Sequence, residues 1–376
     1  MNNLPNCRIR ENFPIRHVYI HVPFCQSKCG YCSFYSQSFS KSNKAIYLQS
    51  LALEITQFLD KYQIIPHTIY FGGGTPSLLE VTEIEEIIAK FNLSEIAEIT
   101  LEVNPITITE EYVAKLAKTK INRISMGVQS FVDDELELLG RLHDSKQAEN
   151  AFWLLRKAGF RNISLDLIYG LPDQDEISLK RSLKKLAELN PEHISTYCLS
   201  LEPDVPLHKY ESQIPSDEKV ADFYDLIRKK LLTEGYEHYE ISNFSKPTYF
   251  SKHNSCYWQD AYYLGLGPAA SGYLEKIRYS NNELEQYVQD MAEHKIMANA
   301  EVVSEEEHKK EYIFLALRQA KGVILKDYKQ KFGTDFWEEY KAVLKKYEQY
   351  FCRNSTAVYL KPKFYFVSNA ILAEFM

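Results

Sequence analysis

The sequence predicts an α/β fold in which parallel strands close part of a barrel. Two observations predict it. Six short β-rich segments alternate with six longer amphipathic segments, and polar residues and glycines cluster where the predicted strands end. The alternation implies a parallel sheet with helical crossovers. Functional groups at the carboxyl ends of the strands favour a partial (β/α)6 barrel over a doubly wound sheet. A smaller, mainly helical domain is expected at the C-terminus.

The predicted strands are runs rich in β-branched and aromatic residues. They cover residues 17–22, 68–71, 98–103, 123–128, 162–169 and 193–199. Between them, apolar residues recur with the period of a helix that buries one face. The predicted helices cover residues 44–62, 81–91, 110–118, 146–158, 176–189 and 217–234.

Changes in this pattern give the expected domain boundaries. They are a tail over residues 1–14, the barrel over 15–235, a connecting segment over 236–290 and a helical, winged-helix-like domain over 291–376. In the last domain we expect helices over 304–320 and 334–347. Two β-like segments, 357–360 and 364–367, are expected to form a hairpin.

Composition limits the function classes. The chain has 376 residues, of which 45% are hydrophobic, and its net charge is −7. This charge argues against a nucleic-acid backbone as the main partner, because that binding depends on a basic face. No apolar run approaches the roughly 18 residues that cross a bilayer. The start of the chain does not resemble a signal peptide. We therefore expect a soluble, cytoplasmic protein.

Three cysteines follow the first predicted strand with C-x3-C-x2-C spacing: Cys25, Cys29 and Cys32. Such a loop can wrap three thiolates around one compact centre, and no fourth cysteine is near. Iron–sulfur clusters normally take four cysteines, so three suggest a [4Fe–4S] cluster with one iron open to a non-protein ligand.

Two alternatives to the cluster stay open at this point. Soft thiolates also select zinc, so a structural zinc site with a distant fourth ligand fits the spacing. A disulfide framework fits less well, because the chain has seven cysteines, an odd number. We interpret Cys7, Cys198, Cys256 and Cys352 as structural thiols, although Cys256 could also serve as a thiolate ligand.

Other residues at strand ends could bind a polar ligand. Gly72, Gly73 and Gly74 remove every Cβ from the loop after the second strand, so the backbone there can approach a ligand closely. A tight turn would also explain them. Four polar residues at or near the later strand ends could bind hydroxyl, amine and carboxylate groups, and the arginine suits a carboxylate: Glu102, Gln129, Arg141 and Asp166.

Several motifs together resemble the radical S-adenosylmethionine family. They are Tyr19 to Cys25 with Cys29 and Cys32, Gly72 to Pro76, Asn122 to Phe131, Leu139 to His143, and Asp166 to Pro172. Within the family, the similarity is to oxygen-independent coproporphyrinogen III oxidase and its relatives, the HemW heme chaperones. It extends from about residue 15 to beyond residue 320.

The resemblance implies a cluster whose open iron is chelated by S-adenosylmethionine. Carried over by position, the metal ligands are Cys25, Cys29 and Cys32. The residues that line S-adenosylmethionine are Tyr19, Tyr31, Gly73, Gly74, Thr75, Glu102, Gln129, Arg141 and Asp166. In the oxidase branch, reductive cleavage of this cofactor gives a 5′-deoxyadenosyl radical, and the protein positions and shields the cofactor.

Three features favour the chaperone branch. Phe34 stands where the oxidases have a further cysteine, and only 24 residues precede Cys25. Residues 253–258 match the HNxxYW motif of the heme chaperones. His253 is then the expected heme ligand, since an imidazole can bind heme iron axially, with Tyr257 and Trp258 packing on the macrocycle.

The sequence departs from the family at one position. The family has a histidine in the turn at residues 264–272, where this chain has Ser271.

The resemblance therefore implies a heme chaperone, with no catalytic residue assigned. It would carry the cluster, S-adenosylmethionine and heme, and would deliver heme to acceptor proteins such as respiratory enzymes. Any membrane association would be peripheral, through those acceptors. The chain would be a monomer or a cofactor-linked homodimer. The alternative is an enzyme, the radical coproporphyrinogen III oxidase of porphyrin biosynthesis.

Overall fold

A computed structural model describes residues 14–376 of the protein. The predicted tail up to residue 13, and Cys7 within it, lie outside the described residues. In the described part of the chain, no helix has the length and apolar character needed to cross a membrane.

The structure contains the strands β1 (Ile15–Val22), β2 (Phe24–Cys25), β3 (Gln37–Ser38), β4 (Ile64–Gly73), β5 (Glu98–Val103), β6 (Arg123–Gln129), β7 (Ile163–Tyr169), β8 (His193–Cys198), β9 (Glu237–His238), β10 (Asn243–Ser245), β11 (Leu264–Leu266), β12 (Ser271–Leu274), β13 (Ile277–Ser280), β14 (Glu301–Val302), β15 (Val323–Ile324), β16 (Phe351–Arg353) and β17 (Ala357–Leu360). All six predicted strands form: they are β1, β4, β5, β6, β7 and β8.

Its α-helices are α1 (Lys41–Leu59), α2 (Val81–Ala89), α3 (Glu110–Leu116), α4 (Asp133–Leu138), α5 (Ser145–Lys157), α6 (Glu176–Leu189), α7 (Asp217–Thr233), α8 (Lys252–Trp258), α9 (Leu284–Ala292), α10 (Glu305–Leu317), α11 (Leu325–Phe332), α12 (Phe336–Glu339), α13 (Lys341–Lys346) and α14 (Ser368–Leu372). The six predicted barrel helices correspond to α1, α2, α3, α5, α6 and α7. Short 3-10 helices include Pro76–Leu78 and Pro362–Val367.

The chain forms two compact units. The first contains the residues up to Met126, Asn150–Arg161 and Tyr262–Val302. The second contains Gly127–Glu149, Asn162–Ala261 and Val303–Met376. The boundary runs through β6, so this strand contributes to both units.

The first unit contains parallel strands in the order β11-β1-β4-β5-β6. The register pairs His21 with Gly72 and Val22 with Gly73. The cysteine loop after β1 and the glycine loop at the end of β4 therefore leave the sheet at the same level. Phe71 pairs with Leu101, so Glu102 also lies at that level.

The two faces of β1 differ in chemistry because successive side chains of a strand alternate. Val18, Ile20 and Val22 are fully buried. The other face carries the polar rings of His17, Tyr19 and His21. The register places the polar residues Thr68 and Tyr70 of β4 beside the first two, and Gly72 beside His21. Barrels of this kind usually fill their interior with branched aliphatic side chains. Here that face supplies hydrogen-bonding groups instead.

The Gly/Ala-rich segment 264–272 contains more regular structure than the predicted turn. Its first residues form β11 and pair in parallel with β1, and its last residues begin β12. Gly265 and Gly267 permit this packing: a Cβ at Gly265 would lie 1.9 Å from Ser271 O, and one at Gly267 would lie 2.5 Å from His21 O. A separate antiparallel sheet, β12-β13-β14, completes the first unit.

In the second unit, β7 and β8 are parallel, and β10 and β9 continue this set as antiparallel strands. Its C-terminal part combines α10 to α14 with a small antiparallel sheet in the order β15-β17-β16. The hairpin here is β16–β17, not the predicted pair 357–360 and 364–367. Asn354 stabilises its turn, because its Oδ1 accepts hydrogen bonds from the backbone N–H groups of Thr356 and Ala357.

Two further predictions in this region are wrong. Residues 364–367 belong to a 3-10 helix with Pro362 at its start, where the fixed φ of proline favours a helical turn. The expected helix over 334–347 is two short helices, α12 and α13, that meet at Tyr340. Tyr340 has φ −104° and ψ 19°, which ends one helix before the next begins.

Candidate functional site

The cysteine loop begins at the end of β2. Cys25 is the last residue of this strand, and the backbone N–H of Cys32 donates to Cys29 O at 3.2 Å. All three thiols are partly buried, and none of the six described cysteines forms a disulfide. Thr75 Oγ1 donates to Cys25 Sγ at 3.7 Å, so the loop after β4 reaches a cysteine sulfur directly.

The three thiols form one electrostatic group. The pKa of Cys32 lies above its ordinary value, mainly because burial disfavours the thiolate, and further because Cys29 and Cys25 add like charge. The Phe34 backbone N–H and Lys28 oppose this shift. A cationic iron centre reverses such repulsion, since bound metal stabilises deprotonated thiols. The donor set therefore fits a cluster.

Within residues 14–376, no three His, Cys, Asp or Glu side chains converge on a point that could hold one metal ion. This finding concerns single-ion sites. A [4Fe–4S] cluster binds its cysteines through different iron atoms, so its ligands surround a larger volume.

The glycine loop is fastened to the start of the cysteine loop by backbone hydrogen bonds. Gly74 N–H donates to Val22 O at 2.8 Å, and Thr75 N–H donates to Phe24 O at 2.7 Å. A Cβ on Gly74 would lie 2.6 Å from Phe24 O, and one on Gly73, which has φ +108°, would lie 2.7 Å from the His21 ring. The protein's own packing thus suffices to require these glycines, and ligand contact by Gly73 and Gly74 stays a prediction.

Tyr19 and Glu102 lie in a connected polar group of the first unit. Tyr70 Oη donates to Glu102 Oε1 at 2.7 Å, and the Tyr19 and Tyr70 rings stack with centroids 6.2 Å apart. Burial, and then the charge of Glu102, raise the pKa of Tyr19 well above its usual range. The phenol therefore keeps its proton. It lies 3.1 Å from His21 Nδ1.

Sequence reasoning missed His21 and Tyr35 in this region. His21 Nε2 donates to Tyr35 O at 3.0 Å, which ties β1 to the segment after the cysteines. Burial lowers the pKa of His21. The polar residue at every second position of β1 was the available signal. Tyr31 is half-buried and lies between Cys29 and Cys32 in the sequence.

In the second unit, Gln129 and Arg141 lie against the same glycine. Arg141 Nη2 donates to Gly127 O at 2.7 Å, and a Cβ on Gly127 would lie 2.9 Å from Gln129 Nε2. Gln129 ends β6 with φ 71°, a left-handed conformation that is costly for a residue other than glycine. Such strain is characteristic of functional sites. Burial, and then the Arg141 charge, lower the pKa of neighbouring His143 to about 4.

Asp166 lies within β7, where it is half-buried and pairs in register with Ser195. Ser164 Oγ donates to Asp166 Oδ1 at 3.3 Å. The second unit thus brings Gln129 and Arg141 together and holds Asp166 on another strand.

His253 lies in α8, which Ser251 caps by accepting from Asn254 N–H. The imidazole is only 1% exposed, and its Nε2 is 2.8 Å from Tyr257 Oη, one helical turn away. The Arg318 guanidinium lies 5.3 Å from the centre of the Trp258 ring. Of the residues expected to contact heme, His253 is therefore buried in this structure, whereas Tyr257 and Trp258 are partly exposed.

Glu54 is a second feature that the sequence did not reveal. It lies in α1, is fully buried, and accepts hydrogen bonds from Gly267 N–H, Asn281 Nδ2 and Tyr287 Oη at 2.6–2.7 Å. Burial raises its pKa to about 7. This carboxyl holds the Gly/Ala-rich segment whose Gly267 packs on His21. In the sequence it looks like one more charged residue of an amphipathic helix.

Comparison with known proteins places this geometry in a family. Residues 19–186 match the Radical SAM superfamily, and residues 303–350 match the HemN C-terminal domain. The solved structure of coproporphyrinogen III oxidase (HemN) from Escherichia coli, a radical SAM enzyme, superposes with a TM-score of 0.86. It covers 98% of this chain and 91% of that chain at 23% identity. This likeness confirms the predicted fold class.

Curated relatives define the branch. Heme chaperone HemW of Lactococcus lactis is 37% identical over 332 residues, which cover 86% of each chain. Heme chaperone HemW of Bacillus subtilis is 34% identical over 376 residues, which cover 96% of this chain and 99% of the relative. The predicted resemblance is confirmed: the chain belongs to the family of the heme chaperone HemW, within the Radical SAM superfamily.

Proposed function

We propose that this protein is a heme chaperone that carries a [4Fe–4S] cluster and S-adenosylmethionine. Similarity to heme chaperones over almost the whole chain carries the proposal. Likeness to the oxidase rests on the fold, at 23% identity. We therefore propose that the chain binds and transfers heme without decarboxylating a porphyrinogen.

The thiols of Cys25, Cys29 and Cys32 would hold the cluster, which supplies an iron with an open coordination position. Thr75 has the role of a hydrogen-bond donor to Cys25 Sγ, an interaction that tunes the potential of iron–sulfur centres. The Gly74 backbone fixes the adjoining loop.

The remaining residues suit a zwitterionic cofactor with hydroxyl groups. Glu102 and Asp166 are acceptors for hydroxyl or ammonium donors, and Tyr70 fixes the orientation of the Glu102 carboxylate. Arg141 suits a carboxylate. Gln129 can both donate and accept. Tyr19, Tyr31, Gly73, Gly74 and Thr75 complete the proposed S-adenosylmethionine set.

Heme binding through His253 needs a local opening. Nε2 can bind iron only after it leaves Tyr257 Oη and the buried imidazole becomes accessible. A chaperone must also release its heme, and the competing phenol is suited to that task. We propose that α8 opens to take heme and closes when heme leaves for an acceptor, such as a respiratory enzyme.

The first experiment is an anaerobic optical titration of the cluster-reconstituted protein with hemin. An assay for coproporphyrinogen III decarboxylation with S-adenosylmethionine is run on the same sample. We expect a saturating Soret change and no decarboxylation. Decarboxylation without stoichiometric heme binding would show that the chain is an oxidase.

The ligand is tested with His253→Ala. Loss of an axial imidazole should weaken hemin binding at least about tenfold, or 1.4 kcal/mol, and leave iron and sulfide content unchanged. His208→Ala, a partly exposed histidine of the same unit, is the matched control. Unchanged hemin affinity in His253→Ala would refute this ligand.

Location and assembly are part of the proposal. We propose a cytoplasmic protein that meets membrane-bound acceptors peripherally, as a monomer or a cofactor-linked homodimer. Size measurement with and without reconstituted cofactors tests the assembly.

A further inference from the structure

A chain of hydrogen bonds runs through the second unit from β7 to the start of α8. Ser164 Oγ lies 3.3 Å from Asp166 Oδ1 and 2.8 Å from His193 Nδ1. His193 Nε2 lies 2.8 Å from Tyr239 Oη, and Tyr239 Oη accepts from Ser251 N–H at 3.4 Å. The side chains of Ser164 and His193 and residue Ser251 are fully buried.

The chemistry of these groups determines which partner donates in every hydrogen bond of the series. An ionised carboxylate only accepts, so Ser164 gives its single hydrogen to Asp166. Ser164 must then accept from His193 Nδ1–H. In a neutral imidazole the other nitrogen is an acceptor, so Tyr239 donates to Nε2. Tyr239 Oη is thereby left to accept the Ser251 N–H.

Hydrogen bonds aligned in this way polarise one another, so a change in the strength of the first bond alters the strength of the last. One end is Asp166, a proposed ligand of S-adenosylmethionine. The other end is Ser251, whose hydroxyl caps the helix that carries His253. These hydrogen bonds thus connect the two proposed sites within a single unit, through the fully buried Ser164 and His193 and the partly buried Tyr239.

We propose that Ser164, His193 and Tyr239 are positioning residues that couple occupancy of Asp166 to the opening of α8 for heme. The inference rests on the proposed function. A cofactor hydroxyl that donates to Asp166 competes with Ser164 for the carboxylate. The weaker Ser164 contact reduces polarisation along the chain and loosens the hydrogen bond at Ser251, where α8 begins.

Tyr239→Phe is the principal variant, because it removes the hydroxyl that accepts from Ser251 and donates to His193 while keeping the ring. The ring retains its contact with Phe250, with centroids 4.8 Å apart. Ser164→Ala interrupts the same chain at its other end. Tyr328→Phe is the matched control: this fully buried phenol donates to Glu339 at 3.0 Å and lies outside the chain.

Two readouts are taken on the cluster-reconstituted, full-length protein. The first is the hemin dissociation constant with and without S-adenosylmethionine. The wild type and Tyr328→Phe should show a change of at least about fivefold, the lower range of allosteric coupling. In Tyr239→Phe and Ser164→Ala the two constants should agree within about twofold.

The second readout is amide hydrogen exchange of residues 251–258 without heme. S-adenosylmethionine should speed exchange in the wild type. In Tyr239→Phe, exchange at Ser251 should already be about fivefold faster, as expected for the loss of one hydrogen bond, and should no longer respond to the cofactor.

The outcomes separate this inference from the proposed function. If hemin does not bind the wild type, the proposed function fails, and the exchange experiment still decides the coupling. If hemin binds but Tyr239→Phe keeps the wild-type response, or if the wild type shows no response, the coupling is refuted and the chaperone proposal stands. If S-adenosylmethionine does not bind, the Asp166 assignment and the coupling both fail.

Discussion

The cysteine loop and helix α8 were both expected to bind prosthetic groups, and they differ in how accessible their expected ligands are in this structure. The loop holds three partly buried thiols, and burial, with the charges of Cys29 and Cys25 added to it, raises the pKa of Cys32. Backbone hydrogen bonds fasten the loop to the glycine loop. In α8, the expected ligand His253 is buried and in contact with Tyr257. A resident cofactor benefits from a site formed in advance, whereas a cargo that must leave benefits from a site that closes again.

The largest effect should come from Cys29→Ser. Loss of one of three thiolates should abolish cluster assembly, because hydroxyl oxygen is a poor ligand for iron–sulfur clusters. Anaerobic reconstitution with iron and sulfide analysis measures this. Cys352→Ser, a partly buried cysteine outside the loop, should retain the full cluster. Equal loss in both variants would mean that the loop is not the specific ligand set.

The stability of the fold should depend on pH through Glu54, the buried carboxyl that accepts a hydrogen bond from Gly267 in the Gly/Ala-rich segment. Its folded pKa of about 7 lies above its ordinary value of 4.5. The protonated carboxyl therefore stabilises the fold below pH 4.5, and this stabilisation is lost as the pH rises through 7. Tyr47, Tyr279 and Tyr287 face Glu54, but their pKa values are raised well above 10, so they do not titrate here.

The measurement is urea unfolding of the wild type and Glu54→Gln between pH 4.5 and 8. The difference between their free energies of unfolding should change by about 3 kcal/mol over this range, because the wild type loses stability relative to Glu54→Gln as the pH rises. Glu240→Gln is the comparison variant in the second unit, since burial also raises the pKa of Glu240 to about 7. Parallel pH curves for the wild type and Glu54→Gln would contradict the raised pKa.

Gly74→Ala tests whether the glycine loop is fixed by the protein itself. The added Cβ would lie 2.6 Å from Phe24 O, and overpacking of this kind costs about 1–3 kcal/mol. Gly159→Ala is the control, because no atom lies within 4 Å of its Cβ and only its φ of +102° is unfavourable. Urea unfolding of the apo-protein should show the larger loss for Gly74→Ala. A smaller loss would mean that the loop adjusts easily.

The smallest effect concerns the cover of His253. Tyr257→Phe removes a competing hydrogen bond worth about 1 kcal/mol, so hemin should bind about fivefold more tightly. In a His253→Ala background the same change should have no effect, which a double-mutant cycle measures. Weaker hemin binding by Tyr257→Phe would show that the phenol supports the bound heme.

The barrel was predictable because its local signals agree. Helix α6 has its predicted bounds, Glu176–Leu189, since Asp175 caps its start by accepting from Ser178 N–H and Asn190 ends it in a left-handed conformation. Strand β5 also has its predicted bounds, Glu98–Val103. Here periodicity, caps and turn residues indicate the same boundaries.

The C-terminal predictions failed where aromatic runs are ambiguous. Residues 364–366 are Phe, Tyr and Phe, which suit a strand, but Pro362 starts a 3-10 helix. The cysteine motif was readable because it is local. The hydrogen bonds of Glu54 could not be predicted, since they join residues more than 200 positions apart. The contact between Tyr257 and His253 could not be predicted either, since it depends on which face of a short helix is buried.

The backbone hydrogen bonds that hold the cysteine loop have a consequence for the protein when its cluster is lost. Small zinc domains unfold when their metal is lost, because the metal supplies their folding energy. Here backbone hydrogen bonds hold the loop without iron: those of Gly74 and Thr75 described above, and one in which Phe39 N–H donates to Cys25 O at 3.0 Å. We therefore expect the protein to stay folded when the cluster is lost, so that iron and sulfide can rebuild the cluster without refolding of the chain.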